Sequence, residues 1–440
     1  MGEDNAMTHA RQPRHLHDGT LYWPKTMSTA PSYPVLKQRI STEVAIVGGG
    51  ITGAICAAVL ARHGVPAVLI EGQHIASGST AANTGLVQFA NDVMLSDLID
   101  RIGENDAVRF YQACRKAVVA LAQLSADTGE DIGYYTRSSL YCASCEDDVA
   151  KLIREYSMLR KHDFPVTWGI PSKVGGEFAK VKAGGLVTHG DAEMNPVRMA
   201  HALVSYAAKR GVQVFENTGV LEVGRLNGKF TVLCAEGEIV AEHVVKATGY
   251  LPGIVTQAAS SAPILKRTYA LVTPPGQIPE EWPEHYMMWE TARPYLYFRT
   301  TPDGRILAGG SDEAMPDTGC DAKILQDRTE GLLAQLRELF PRQDWTAEHA
   351  WCGMFGESAD DLPMIGEHAE QPGIFHALGV GGNGTVYSMI AASMLRDRIL
   401  GRDNPLTPLL SPSRNQQSGS SSISPYWPSS STQPSTSMFA

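Results

Sequence analysis

Apolar and polar positions change period several times along the chain. An apolar run at residues 44–47 meets Gly48-Gly49-Gly50 and is followed by an Ala-rich stretch to about His63. A second apolar run, residues 67–70, then stops at Glu71. Short apolar runs bounded by glycine read as buried strands and the Ala-rich stretch as a helix. The pattern therefore predicts β-turn-α-β, the unit of a parallel sheet. Helical spacing returns at Val108, Tyr111, Cys114, Val118 and Leu121, at Val149, Leu152, Ile153 and Tyr156, and at Leu325, Leu332, Leu333, Leu336 and Leu339. Asn195-Pro196 predicts a helix start, since Asn caps free amides and Pro fits the first turn. Asn227-Gly228 predicts a hairpin. Residues 266–310 read as strand-rich, with Tyr295, Tyr297 and Arg299 sharing one face. A last helix is expected from Thr385 to about Leu400. Residues 1–40 have no period and are expected to form an irregular leader draped over the domain. Residues 411–440, mostly Ser, Pro, Gln and Thr, are expected to be a disordered tail.

Length and composition narrow this picture. A chain of 440 residues exceeds one ordinary core and predicts two or three domains. The net charge of −10 disfavours nucleic-acid binding, which needs a basic surface. No apolar run is long enough to span a bilayer, and the N-terminus lacks an apolar signal core. Seven scattered cysteines predict reduced thiols and a cytoplasmic setting. Cys142-x-x-Cys145 has no second pair at zinc spacing, so it reads as structural, and no metal site is expected. There is no HExxH and no GxSxG.

The strongest motif is Gly48-x-Gly50-x-x-Gly53. It follows a strand, opens a helix, and is completed by Glu71 at the end of the next strand. This is the whole dinucleotide-binding fingerprint. Gly48 makes the tight turn, Gly50 admits a pyrophosphate to the backbone, and Gly53 lets the helix pack on the strand. The helix N-terminus, with Ile51 and Thr52, faces the phosphates, and Glu71 can accept ribose hydroxyls.

Three further segments resemble the D-amino-acid-oxidase-like family of FAD-dependent oxidoreductases, which includes glycine oxidase, sarcosine oxidase and γ-glutamylputrescine oxidoreductase. They are Ala76-Ser77-Gly78-Ser79-Thr80-Ala81-Ala82-Asn83-Thr84-Gly85, Val245-Lys246-Ala247-Thr248-Gly249, and a stretch from Trp351-Cys352-Gly353 through Asp361-x-Pro363-x-Ile365-Gly366 to Gly379-Val380-Gly381-Gly382-Asn383-Gly384. Tyr22-Trp23 is similar to the start of the γ-glutamylputrescine group. The resemblance spans about residues 40–402. It implies an α/β fold, with a Rossmann-like FAD-binding domain and a substrate domain of mainly antiparallel sheet with helices. The FAD-binding domain is expected from residues 41–105, 180–260 and 345–402. The substrate domain is expected from 106–179 and 261–344.

The resemblance also implies a non-covalent FAD: relatives that tether the flavin do so through a Cys at the place of Gly353. Cofactor contacts are expected from Ser79, Thr80, Asn83, Thr84 and Gly85, from Thr248 and Gly249, from Gly381, Gly382, Asn383, Gly384 and Thr385, and from Val220 on the adenine side. The last glycine loop opens a helix, whose N-terminus would stabilise negative charge on a reduced flavin.

Related amino-acid oxidases grip the substrate carboxylate with arginines at positions matched here by Phe355 and Gly382. Their loss implies an amine or N-substituted amino acid as substrate. The expected reaction is hydride transfer from the carbon beside the nitrogen to flavin N5, with hydrolysis of the imine. Arg299, Tyr297, Phe355 and Glu357 are the candidate substrate residues, and His285, Tyr286 and Trp289 a possible aromatic wall. No general base is assigned. Leu307 occupies the place of a lysine that sarcosine oxidases use toward oxygen, so the electron acceptor is either O2 or a carrier. A flavin dehydrogenase of a hydroxy compound and a non-catalytic flavoprotein stay open as alternatives.

Overall fold

The computed structural model describes residues 16–170, 182–250, 263–280, 282, 285–315, 320–378 and 381–414. Two sheets organise them. The eight-stranded sheet runs Met364–His368, Gln371–Leu378, Glu238–Lys246, Arg39–Val47, Ala67–Ile70, Gln213–Phe215, with the hairpin Val220–Leu226/Lys229–Cys234 paired beside Glu238–Lys246. Its five strands from Gln371–Leu378 to Gln213–Phe215 are mutually parallel. Their carboxyl ends place Gly48, Glu71, Glu216 and Ala247 along one edge, where open α/β sheets bind ligands. The hairpin turns at Asn227 and Gly228, both at positive φ (52° and 83°).

Helix Ile51–Arg62 packs against helices Pro196–Ala208 and Gly384–Ile399 as well as the sheet. It is therefore buried nearly all round, which explains its Ala-rich sequence without a polar face. Asn195 caps Pro196–Ala208 as expected, its Oδ1 accepting from Val197 N and Arg198 N.

The ten-stranded sheet runs His17–Gly19, His349–Glu357, Ile264–Val272, Ile306–Ala314, Leu296–Thr300, Met287–Glu290, Tyr135–Cys142, Gly185–Glu193, Leu86–Val87, with Val166–Trp168 on Gly185–Glu193. It is antiparallel except where Met287–Glu290 meets Tyr135–Cys142. Helix Ala322–Leu339 covers one face, its Leu332, Leu333 and Leu336 packed with Trp282, Phe298 and Trp345. Leu86–Val87, Gly185–Glu193 and His349–Glu357, expected with the cofactor domain, all pair in this second sheet. Those three segments therefore carry residues from the sequence neighbourhood of the cofactor motifs into the other sheet.

Both expected extensions need correction within the described residues. Residues 16–40 are part of the structure. His17–Gly19 pairs with Trp351–Gly353, Trp23 is buried, and its indole Nε1 donates to Asn83 O at 2.6 Å. The tail begins later than 411, because Arg414 donates to Asp360 Oδ1 at 2.6 Å and to Leu362 O at 2.8 Å, and Ser413 is buried. Residues 1–15 and 415–440 lie outside the described residues, as do Gly379 and Val380 of the glycine loop.

Candidate functional site

A cavity of about 610 Å³ runs from the carboxyl edge of the parallel strands to the face of the second sheet. At one end it is lined by Gly48, Gly50, Ile51, Thr52, Glu71, Gln73, Gly219 and Val220. The fingerprint glycines are explained by contact. A Cβ on Gly53 would lie 1.9 Å from Gly48 O, so any side chain would push the helix off the strand. A Cβ on Gly50 would meet only Thr80 Oγ1, at 3.1 Å, and would otherwise project into open cavity. Gly50, the residue before helix Ile51–Arg62, has no side chain to cap it; Thr80 Oγ1 accepts from Ile51 N at 2.9 Å, and the dipole of the helix start is directed at that space. Glu71 is already oriented, accepting from Gly49 N at 2.6 Å and Gln73 N at 2.8 Å.

The middle of the cavity is formed by Ser79, Thr80, Ala82, Asn83, Thr84, Thr248 and Gly249 on one side and by Gly353, Met354, Gly381, Gly382, Asn383 and Gly384 on the other. Two tryptophans fix the short helix Ser79–Ala82 and its exit: Trp351 Nε1 donates to Ala82 O at 2.9 Å, and Trp23 Nε1 bonds Asn83 O. Asn83 Oδ1 accepts from Gly85 N at 2.7 Å, closing an Asx turn. Asn383 Nδ2 donates to Gln88 O and Asn91 Oδ1, which leaves the start of helix Gly384–Ile399 without a side-chain cap. A second helix N-terminus thus opens on the same cavity. This donor set, two helix starts with glycine approaches and one carboxylate, fits a dinucleotide carrying a planar ring.

The far end is aromatic and acidic. Trp289, Tyr295, Tyr297, Thr268, Phe355, Asp92 and Asp312 line it. Tyr295 Oη donates to Asp92 Oδ1 at 3.1 Å. Asp312 Oδ1 is buried with no hydrogen-bond partner among the described residues. Burial, with Asp92 nearby adding to it, pushes the Asp312 carboxyl up to about 6, against the opposing pull of the Thr268 hydroxyl, Lys266 and Arg293. No lysine or arginine lines the cavity among the described residues.

Comparison with known proteins agrees with this geometry. The family described as DAO, FAD dependent oxidoreductase, matches residues 43–398. The chain belongs to that family. It is 27% identical over 369 residues to the glycine oxidase of Geobacillus kaustophilus, covering 81% of this chain and 92% of the relative. It is 21% identical over 403 residues to the gamma-glutamylputrescine oxidoreductase of Escherichia coli, covering 88% of this chain and 89% of the relative. The crystal structure of the Geobacillus kaustophilus glycine oxidase superposes with a TM-score of 0.71 at 22% identity, over 85% of this chain and 99% of that one. The DAO fold is therefore that of this chain, and FAD is its cofactor.

Several expected residues take other roles in this DAO-family protein. Arg299 is 1% exposed and does not line the cavity. Its guanidinium donates to Thr84 O, Thr300 O and Met194 O at 2.9–3.0 Å and faces Glu193 Oε2 at 3.6 Å. It braces the loop behind the cavity. Glu357 is ion-paired to Lys266 and also lies off the cavity wall. Of the aromatic wall, Trp289 lines the cavity, stacked on Tyr141 with ring centroids 3.7 Å apart, but His285 bonds Thr300 and Tyr286 packs in the core of the second sheet. Gly53, Gly85 and Thr385 act from behind the wall. A Cβ on Gly85 would strike Met194 O at 2.2 Å, and Thr385 is buried. Tyr297 and Phe355 do reach the cavity.

Asp92 and Asp312, which line the cavity, were not among the residues expected from the sequence. A signal for Asp312 was present, since a polar Ser311-Asp312 follows Gly309-Gly310 within an apolar strand, a pattern that marks a bulge. Among the described residues no cluster of ligating side chains could hold a metal, and no helix is long and apolar enough to cross a membrane.

Proposed function

We propose that this protein oxidises the C–N bond of an amine or an N-substituted amino acid, the imine product then being hydrolysed. The observation that carries the proposal is the wall of the cavity beyond the glycine loops. It presents Phe355, Tyr295, Tyr297 and Trp289, and among the described residues no guanidinium or ammonium. A free amino acid would bring its carboxylate against aromatic rings and the acids Asp92 and Asp312, without an ionic partner among the described residues and losing hydration uncompensated. A neutral amine carries no such penalty, and an ammonium group meets acids on the same wall. The glycine oxidase and gamma-glutamylputrescine oxidoreductase relatives support nitrogen compounds as the substrate class.

FAD, when bound, supplies the two-electron acceptor for this chemistry. Gly50, Ile51 and Thr52 would hold its phosphates, Glu71 its ribose, and Val220 with Gly219 its adenine. The residues 79–84, 353–354 and 381–384 would hold the ring. The protein's share of the reaction is to present the substrate carbon at the ring loops and to keep water out with the aromatic wall. Electrons then pass to O2 or to a carrier. The seven cysteines are all free, in keeping with a cytoplasmic protein.

Anaerobic titration tests the proposal. Secondary and N-substituted amines are expected to bleach the flavin absorbance, and hydroxy acids are not. Bleaching by a hydroxy acid but by no amine would overturn it. Readmitting oxygen and measuring peroxide separates an oxidase from a carrier-linked dehydrogenase.

A further inference from the structure

The strand Ile306–Ala314 is bent where it carries Asp312. Opposite it, Tyr269 pairs with Gly310 and Arg267 with Glu313, so Ser311 and Asp312 together face the single residue Thr268. This is a β-bulge, a device that re-aims a side chain. The backbone accepts an unfavourable conformation to make it. Ser311, which has a Cβ, sits at φ 57°, and a Cβ on the neighbouring Gly310 (φ 146°) would strike Tyr295 O at 2.2 Å. Strain of this kind persists where the surrounding structure demands it. Its result is a carboxylate turned out of the sheet and into the cavity wall.

Among the described residues no salt bridge reaches that carboxylate, and Lys266 and Arg293 act on it only through their fields. Asp92, across the cavity, is itself an acid. A Cβ on Gly382 would lie 2.8 Å from Asp92 Oδ2, which places this second carboxylate at the glycine loop. Tyr295, Tyr297 and Thr268 are neutral. The nearby cations are engaged elsewhere: Lys266 pairs with Glu357, and Arg293 spans the carbonyls of Glu290, Thr291, Ala292 and Asp92 with its guanidinium 4.9 Å from the Tyr295 ring centroid. Neither lines the cavity. The Trp289–Tyr295 and Tyr295–Tyr297 ring centroids are 6.5 and 5.7 Å apart, forming a continuous aromatic surface beside the two acids. Ring faces and carboxylates both attract a cation and repel an anion.

We propose that Asp312, with Asp92 and the rings of Trp289, Tyr295 and Tyr297, is the specificity subsite of the cavity and takes a cationic aliphatic nitrogen. The inference rests on the amine reading above and adds which amines are chosen: those that carry an ammonium group at this subsite beside the nitrogen to be oxidised, which reacts as the neutral amine, ahead of zwitterions and anions. Asp312 is the counter-charge and Asp92 the supporting one. The rings exclude water and cover the alkyl groups.

Binding of tetramethylammonium, which cannot form an imine, tests the subsite separately from turnover. Titrated into the FAD-loaded protein and followed by the flavin spectrum or by calorimetry, it should bind to the wild type. Asp312→Asn should weaken it at least about tenfold, the size of one lost charge-assisted contact. Acetate binding should be unchanged or improved. Equal tetramethylammonium affinity in the wild type and Asp312→Asn would overturn the proposal, even if amines bleach the flavin. Asp312-dependent binding without bleaching by any amine would keep the subsite and refute the amine oxidation. Should Asp312→Asn fail to retain FAD, the wild type alone decides. Its affinity should fall about tenfold per pH unit on the acid side of the Asp312 titration, and an affinity flat with pH would overturn the proposal.

Discussion

Replacing Arg299 by Met distinguishes a brace from a substrate ligand. The guanidinium donates to three main-chain carbonyls and is the counter-charge of Glu193 Oε2, which has no hydrogen bond of its own. Glu193 is fully buried, so the substitution leaves an acid facing apolar surroundings. Removing one partner of a buried pair costs about 3–5 kcal/mol. Arg137 Nη2 still donates to Glu193 Oε1 at 2.9 Å, so the lower end, about 3 kcal/mol, is expected. Urea unfolding of the FAD-loaded protein, followed by circular dichroism and by release of flavin fluorescence, measures it. The FAD affinity should fall too, since Arg299 holds Thr84 O beside the cavity. Substrate preference should not change: the ratio of reduction rates for carboxylate-bearing and uncharged amines should stay within about twofold, well under the tenfold that 1.4 kcal/mol represents. Unaltered stability with selective loss of carboxylate-bearing substrates would refute the reasoning.

Gly53→Ala should abolish FAD binding and lower Tm, because its Cβ would meet Gly48 O at 1.9 Å; wild-type flavin content in the purified variant would count against it. Deletion from residue 411 should destabilise the protein through loss of the Arg414–Asp360 pair, whereas truncation after Arg414 should leave Tm and FAD content unchanged, as thermal melts of the two will show. Because the folded-state titration of Asp312 is raised to about 6, its contribution to stability is present at lower pH and is lost as pH rises through that value. Asp312→Asn should therefore stabilise the protein by about 3 kcal/mol above that pH and be nearly neutral below its unfolded value, which paired urea titrations at two pH values will check.

The dinucleotide fingerprint was legible because its determinants are local. Strand, glycines, helix and Glu71 lie within one β-α-β unit, and their order in sequence is their order in space. The substrate half depends on distant pairing. Alternation correctly placed Tyr295, Tyr297 and Arg299 on one face, but it does not say how far along the strand the cavity extends. Tyr297 opens on the cavity, while Arg299, two residues on, lies beneath the Trp23 ring at 5.3 Å, a contact made by a segment read only as a leader. Asp312 points inward because of a bulge against Thr268, more than forty residues earlier in the chain. The sheet partners of Gly185–Glu193 and His349–Glu357 were not legible for a similar reason: both lie beside cofactor motifs in sequence but pair with Tyr135–Cys142 and Ile264–Val272.

The central claim is that the cavity accepts amines and disfavours the free amino acid carboxylate. Its most direct test is stopped-flow reduction of the FAD-loaded protein under anaerobic conditions, comparing N-alkylated amines and diamines with glycine and D-alanine at matched concentrations. The account predicts that the amines reduce the flavin faster by orders of magnitude, since an unpaired buried carboxylate costs several kcal/mol and each 1.4 kcal/mol is about tenfold. Glycine or D-alanine as the fastest reductant would contradict it.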